Sequence, residues 1–128
     1  RGGRIPAWAE PVVRFTRLIP VARVTPEGKL TVAGGLFTRT HAAEAFARYV
    51  AKRAVKALAT QGVTAPRVRV IVGHCDALAD GERVLAAIQA ALPERGATVL
   101  EAHLVETGPA IGAHAGRGAL VVAVQPQP

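Results

Sequence analysis

Apolar residues recur along this chain with two different periods, and these periods predict the order of its elements. Residues 42–58 and 84–92 place apolar side chains three and four positions apart, which is the spacing of one helical face. Residues 68–73 form a short β-branched run, and residues 97–105 alternate as a half-buried strand does. The pattern therefore predicts two long amphipathic helices, each followed by a strand.

Glycine and proline mark further elements ahead of the first long helix. Residues 6–15 have helical apolar spacing that a proline interrupts, which predicts a short helix. Strands predicted at 18–24 and 29–32 are joined by a turn at 25–28, where proline and glycine take their preferred places. The pair Gly34-Gly35 is expected to break the second strand. This part of the chain thus predicts a helix and a β-hairpin.

The C-terminal half predicts a helix between strands and a further strand at the end. Asp76 or Asp80 is the expected N-cap of the second long helix. A last strand is predicted at 119–124, with residues 125–128 frayed. In the strand at 97–105, the face expected to be buried carries Thr98, Leu100, Ala102 and Leu104. The whole order predicts an α/β fold, a single domain with a mixed β-sheet covered by helices.

The composition narrows the class of protein. Half of the 128 residues are apolar and only 4% are aromatic, so the core is built from valine, alanine and leucine. No apolar run is long enough to span a membrane, and no signal-peptide pattern opens the chain. A single cysteine excludes an internal disulfide, so a cytoplasmic protein is expected.

Basic residues outnumber acidic ones by sixteen to nine, and the formal net charge of +7 suits an acidic protein, an anionic lipid surface or nucleic acid. No zinc-finger spacing, RNA-binding aromatic signature or helix-turn-helix accompanies the charge, so specific nucleic-acid recognition is not expected. On the first long helix one polar stripe recurs every four residues: Glu44, Arg48, Lys52 and Lys56. A solvated helix face and a docking surface for an acidic partner both fit this stripe.

Residues 73–76, Gly-His-Cys-Asp, place a candidate nucleophile beside a candidate base at the end of a strand. Adjacent residues of an extended segment point to opposite sides, so the expected roles are structural: an aspartate N-cap preceded by a small buried thiol. His74, His103 and His114 lack the spacing of metal ligands, and no phosphate-binding Gly-x-x-x-x-Gly-Lys sequence is present. No metal, cofactor or ATP site is therefore expected in this chain.

The stretch 107–120 carries the strongest chemical signal. It has four glycines and one proline around a single imidazole, His114. Glycine is used where the backbone takes a positive φ or approaches another group closely. The stretch is thus expected to form a loop or short helical turn that presents His114 and backbone N–H groups, an arrangement that suits an oxyanion.

Within this stretch, Gly-Pro-Ala-Ile-Gly-Ala-His-Ala-Gly-Arg-Gly-Ala-Leu at 108–120 resembles the closing motif of the DegV family of bacterial fatty-acid-binding proteins. Gly-Gly-Arg-Ile at 2–5 is similar to the opening of the second lobe in that family. Leu-Ile-Pro-Val at 18–21, followed by Glu-Gly-Lys-Leu at 27–30, resembles its hairpin. The resemblance covers nearly the whole chain.

The resemblance implies that this chain is the C-terminal lobe of a two-lobed protein. Residues 1–17 would connect it to an N-terminal lobe, and residues 18–128 would form the α/β domain. The ligand-binding residues that the resemblance implies are Arg4, His114, Gly116, Arg117 and Gly118. Arg117 stands where the family usually has proline, and Ile19 stands where it commonly has a basic residue. Both departures bear on how the carboxylate of a fatty acid is held.

The function that the resemblance implies is non-catalytic binding of a long-chain fatty acid, whose carboxylate is presented to a separate ATP-dependent fatty-acid kinase. The kinase subunit is the expected partner, and no cofactor is expected. Two alternatives remain open. One is an interaction domain within a fatty-acid or dihydroxyacetone kinase polypeptide, and the other is a hydrolase that uses His74 and Cys75.

Overall fold

The chain divides into two compact units, Arg1–Ala42 and Ala43–Pro128. The computed structural model describes residues 19–36, 41–109, 113 and 115–128, so the predicted helix at 6–15 and the connection at 1–17 lie outside the described residues. The elements in chain order are β1 (Ile19–Val24), β2 (Leu30–Leu36), α1 (Ala42–Thr60), β3 (Arg67–His74), α2 (Leu78–Glu94), β4 (Thr98–Glu106) and β5 (Leu120–Gln127). No helix in these ranges is long and apolar enough to cross a membrane.

β1 and β2 form an antiparallel hairpin, as the turn residues predict. The Thr25 N–H donates to the carbonyl of Lys29, and the Gly28 N–H donates to the carbonyl of Thr25, both at 2.8 Å. Gly28 takes a φ of +80°, which a residue without a Cβ adopts with little strain. The glycine is thus required by the geometry of this turn.

The break expected at Gly34-Gly35 is wrong, because β2 continues through both glycines. Gly34 lies opposite Val21 and Gly35 lies opposite Pro20, and the register shifts by one residue between Val21 and Ala22. Glycine weakens a strand because it has no side chain to pack, but a paired neighbouring strand still holds it extended. The partner strand therefore decides the length of β2.

The second unit is built on a three-stranded sheet with β3 at its centre, parallel to β4 and antiparallel to β5. The predicted α/β class with a mixed sheet is confirmed. Val68, Val70 and Val72 of β3 are fully buried and pack against apolar residues of both helices, so α1 and α2 cover one face of the sheet. The other buried members of this core are Ala47, Ala51, Leu58, Val84, Ile88, Ala91, Leu92 and Ala97.

β4 contains a bulge that corrects the predicted buried face. The register passes from Val68 opposite Val99 to Arg69 opposite Glu101, which leaves Leu100 as an extra residue. One extra residue reverses which side chains face the core. Leu100 is accordingly 42% exposed, while Val99 joins the core together with the correctly predicted Ala102 and Leu104.

The N-terminus of α2 is not capped by an aspartate, which corrects a second expectation. Its N-cap is Ala77, and no side-chain oxygen caps it. The Ala77 N–H donates to Nδ1 of His74 at 3.2 Å. Asp80 lies in the first turn of the helix and bonds Arg83, while Asp76 precedes the cap with a left-handed φ of +50°. An imidazole from the preceding strand thus accepts the N–H of the N-cap residue, and no side chain caps the N–H groups of the first helical turn.

The fraying predicted for residues 125–128 is also wrong for most of that segment. β5 extends to Gln127, which lies opposite Arg67 in the antiparallel ladder with β3. Nη1 of Arg67 donates to the carbonyl of Pro128 at 3.0 Å. The terminal residues are ordered because β3 supplies a full-length partner, since a paired terminus does not fray as a free one does.

Two leucines of β4, one packed on the core and one at the bulge, allow the bulge to be tested. Leu104→Ala removes a side chain that packs on the core, so we expect it to lower the free energy of unfolding by about 2–3 kcal/mol. Leu100→Ala removes the exposed side chain of the bulge and should cost less than about 1 kcal/mol. Chemical denaturation of both variants measures the difference. Equal losses would show that β4 has no bulge and that Leu100 faces the core.

Candidate functional site

The candidate site lies where β3 and β4 end and β5 begins. Parallel strands have their carboxyl ends at the same edge of a sheet, and the antiparallel β5 starts there, with Leu120 opposite His74. The chain between β4 and β5, residues 107–119, is called the glycine-rich loop below. Its sequence includes His114, which lies outside the described residues. In α/β folds this edge is a common place for ligands.

Two consecutive residues hold both ends of the glycine-rich loop: His74, which ends β3, and Cys75 in the turn after it. At the start of the loop, the N–H and Oγ1 of Thr107 both donate to the carbonyl of His74, at 2.8 and 3.1 Å. At its end, the Gly118 N–H donates to the carbonyl of Cys75 at 2.8 Å, and the Cys75 N–H donates to the carbonyl of Ala119 at 3.0 Å. These four bonds form a clamp that fixes where the loop leaves and rejoins the sheet.

Two glycines of the loop are required by its backbone. Gly116 has a φ of +82° and Gly118 a φ of +86°, and a Cβ at either position would meet no atom within 4 Å. The requirement is therefore conformational, because L side chains are strained at such φ values. Gly73 differs, since a Cβ there would lie 2.7 Å from Cγ2 of Thr107. Its small size lets the start of the loop approach β3.

Arg117, between the two loop glycines, forms an ion pair with Asp76. Nε of Arg117 donates to Oδ2 of Asp76 at 2.7 Å, and Nη2 contacts the same oxygen. The side chains are 87% and 60% exposed, so water weakens their attraction to about 1 kcal/mol or less. The pair therefore directs the guanidinium of Arg117 toward the β3–α2 turn without holding the fold together.

His74 is buried, with 7% of its surface exposed, and its ring is committed to the structure around it. Nδ1 accepts the N–H of Ala77, so in the neutral imidazole the proton lies on Nε2. A Cβ on Gly81 would lie 3.3 Å from Cβ of His74 and 2.9 Å from Cδ1 of Leu104, so the first turn of α2 packs tightly against this histidine. The geometry gives His74 a structural role.

Cys75, predicted to be a small buried thiol, is half-buried and forms no disulfide. Its backbone belongs to the clamp, while Nδ1 of the adjacent His74 accepts the N–H of Ala77. Among the described residues, no side-chain hydrogen bond joins Cys75 to His74, the pair that the hydrolase hypothesis uses. Within the residues that the structure describes, no three His, Cys, Asp or Glu side chains come together as metal ligands would.

The structure places three of the predicted ligand-binding residues, Gly116, Arg117 and Gly118, together at the end of the glycine-rich loop. Arg4 and His114 lie outside the described residues. Sequence reasoning missed Asp76 as the partner of Arg117, because 41 positions separate them and no spacing rule connects residues so far apart. It also missed the bonds of Thr107 to His74, because a threonine before a glycine has no distinctive sequence pattern.

The face of the sheet opposite the helices carries a second polar cluster. Oε2 of Glu101 lies 3.0 Å from Nε of Arg69 and 3.1 Å from Nε2 of His103. The hydrogen bond with His103 and then that with Arg69 lower the pKa of Glu101. Both neighbours favour the ionised carboxylate, so the cluster is a stabilised ion network at the surface.

One known protein family matches this chain. The model of a family described as uncharacterised proteins, DegV family, matches residues 1–127. No curated protein matches the chain. A fatty-acid-binding DegV family protein from Streptococcus agalactiae superposes with a TM-score of 0.65 at 19% identity, over 95% of this chain and 38% of that one.

Two further crystal structures have the same fold. A DegV family protein from Corynebacterium glutamicum gives a TM-score of 0.64 at 21% identity, over 96% of this chain and 41% of its own. A DegV family protein from Eubacterium eligens, loaded with heptadecanoic acid, gives 0.61 at 13% identity, over 98% and 40%. The chain thus spans about two fifths of the length of these structures.

The clamp predicts a measurable role for the hydroxyl of Thr107. Thr107→Val keeps the branched shape but removes the Oγ1 donor to His74, so we expect a loss of about 1 kcal/mol in the free energy of unfolding. Thr64→Val is the matched control, because Thr64 is exposed. Equal effects of the two variants, measured by denaturation, would contradict a role for the hydroxyl in the clamp.

The lowered pKa of Glu101 predicts a pH dependence. The folded state holds the carboxylate ionised, so its stabilising effect is present above the ordinary carboxyl range and is lost as the pH falls through the lowered pKa. Glu101→Gln should therefore be less stable than wild type near neutrality, and the difference should shrink in acid. Denaturation across this range tests it, with Glu82→Gln on the exposed side of α2 as control. A difference independent of pH would remove the ionised carboxylate as its cause.

Proposed function

Because the chain belongs to the DegV family, we propose that it is the C-terminal lobe of a two-lobed carrier that binds a long-chain fatty acid. In this proposal residues 1–17 lead from an N-terminal lobe, and residues 18–128 form the domain that closes one side of the ligand site. The observation that supports the proposal is the clamp. It holds both ends of the loop that contains His114 at the carboxyl end of β3. A loop that is held at both ends and has left-handed glycines suits an oxyanion.

In this proposal His114 and Arg117 of the glycine-rich loop recognise the carboxylate of the ligand. An imidazolium donates a charge-assisted hydrogen bond to a carboxylate, and the nearby anion favours its protonated form. Arg117 adds a positive charge at the end of the same loop, and its guanidinium also donates to Asp76. Gly116 and Gly118 shape the backbone, because the N–H of Gly118 already donates to Cys75.

The acyl chain contributes most of the affinity in this proposal, because each buried methylene contributes about 0.8 kcal/mol. Polar contacts at the head group then need only fix the orientation of the ligand and distinguish an acid from an uncharged analogue. A fatty acid bound by the Eubacterium eligens protein supports this class of ligand.

The carrier itself performs no bond-breaking step in this proposal. The chain has no glycine-rich phosphate-binding sequence ending in lysine, so a separate ATP-dependent kinase would transfer the phosphoryl group to the presented carboxylate. A single half-buried cysteine without a disulfide fits a reducing cytoplasm, where such a kinase would work. No cofactor is required by this scheme.

The proposal predicts that His114 distinguishes acids from alcohols. In the protein with both lobes, His114→Ala should weaken binding of a fatty acid by about 1.5–3 kcal/mol, and change binding of the matching fatty alcohol much less. Calorimetry with both ligands measures the gap between acid and alcohol. His41→Ala, at an exposed position before α1, is the control.

Arg117→Ala, alone and combined with His114→Ala, separates the two cations by whether their losses add. Additive losses would indicate independent contacts with the carboxylate. An acid-to-alcohol gap unchanged in all three variants would remove both residues from head-group recognition and defeat the proposal for this site.

A further inference from the structure

The exposed side of α1 concentrates positive charge. Four basic residues and one acidic residue give this helix a net charge of +3, out of +7 for the whole chain. We call its four cations the α1 basic face: Arg48, Lys52, Arg53 and Lys56. All four are exposed. Arg48, Lys52 and Lys56 recur at four-residue intervals, so they form one row along the helix.

The stability of the helix does not explain this row. Like charges four residues apart repel, and cations help a helix mainly in its last turn, where α1 has none. Ala47, Ala51 and Leu58 bury the opposite side of α1 in the core. Among the residues that the structure describes, no acidic side chain forms an ion pair with the α1 basic face.

The row acts as one electrostatic surface. Neighbours four residues apart on a helix are separated by about 6 Å at Cβ, which is less than the Debye length of about 8 Å at physiological ionic strength. Arg53 lies over the ring of Tyr49 with its guanidinium 5.5 Å from the ring centre. A stacked arginine is partly ordered before binding, and arginine and tyrosine are enriched where proteins contact each other.

We propose that the α1 basic face binds a complementary acidic surface on a partner protein, which under the proposed function is the kinase that receives the fatty acid. An anionic membrane fits less well. A helix at a membrane surface inserts large apolar side chains beside its cations. The large exposed apolar residues in the described ranges are Val24, Leu30, Val32, Leu78, Leu100, Val105 and Val121, and none of them lies on α1.

The test is acyl-phosphate formation by the two-lobed protein with its kinase, at two salt concentrations. The double variant Lys52→Glu, Lys56→Glu should raise the KM for the carrier about tenfold at low salt, and high salt should diminish the difference. The dissociation constant of the fatty acid should stay unchanged. The matched control, Lys29→Glu with Arg95→Glu, changes the net charge equally at exposed positions off α1.

The possible outcomes distinguish the α1 site from an effect of net charge, from a membrane site and from failure of the proposed function. An equal rise of KM in the test and control variants would show that net charge alone acts and would overturn the α1 site. An unchanged KM would overturn it as well, and binding to vesicles of phosphatidylglycerol and phosphatidylcholine that the α1 variant loses would then assign this face to a membrane. If wild type binds no fatty acid or supports no acyl-phosphate formation, the proposed function itself fails. Loss confined to the α1 variant, with fatty-acid binding intact, supports the proposal.

Discussion

The backbone bonds between the end of β3 and the glycine-rich loop are the constraint on which the candidate site depends. The carbonyl of His74 accepts two bonds from Thr107, and Cys75 accepts one bond from Gly118 and donates one to Ala119, just before β5. The last residue of the central strand and the residue after it thus hold both ends of a segment that joins the two edge strands. Loop closure is entropically costly for a free segment, and the clamp restricts that freedom before any ligand arrives.

The position of the clamp follows from the packing beneath it. Alternate valines of β3 are buried under both helices, and the strand lies in the middle of the sheet because it pairs with both β4 and β5. His74 continues this buried series at the carboxyl end, where Nδ1 accepts the N–H of Ala77 at the start of α2 and the side chain lies against Gly81. The same residue therefore joins the core, the helix and, through its carbonyl, the start of the loop.

Charged residues fall into groups with different surroundings. Arg69 forms an ion pair with Glu101, and Arg117 forms one with Asp76. Part of the positive charge of these arginines is therefore compensated within the domain. The cations of α1 meet no carboxylate among the described residues. Head-group recognition by the loop and protein recognition by α1 are therefore proposed as separate tasks.

Local physics allowed the sequence to determine the type and order of the described elements. Helical spacing predicts α1, a β-branched run predicts β3, and a glycine with positive φ closes the hairpin turn as its sequence indicates. The glycine content of 107–119 likewise marks the loop, because positive φ is a property of the single residue. These features depend on neighbours within a few positions along the chain.

Only the tertiary structure decided which distant groups meet. The bulge at Leu100 arises from the register between β3 and β4, and the lengths of β2 and β5 depend on their partner strands. The pairing of Arg117 with Asp76 joins residues 41 positions apart. Periodicity describes how one segment presents its side chains and carries no information about the segment opposite, so these contacts exist only once the chain has folded.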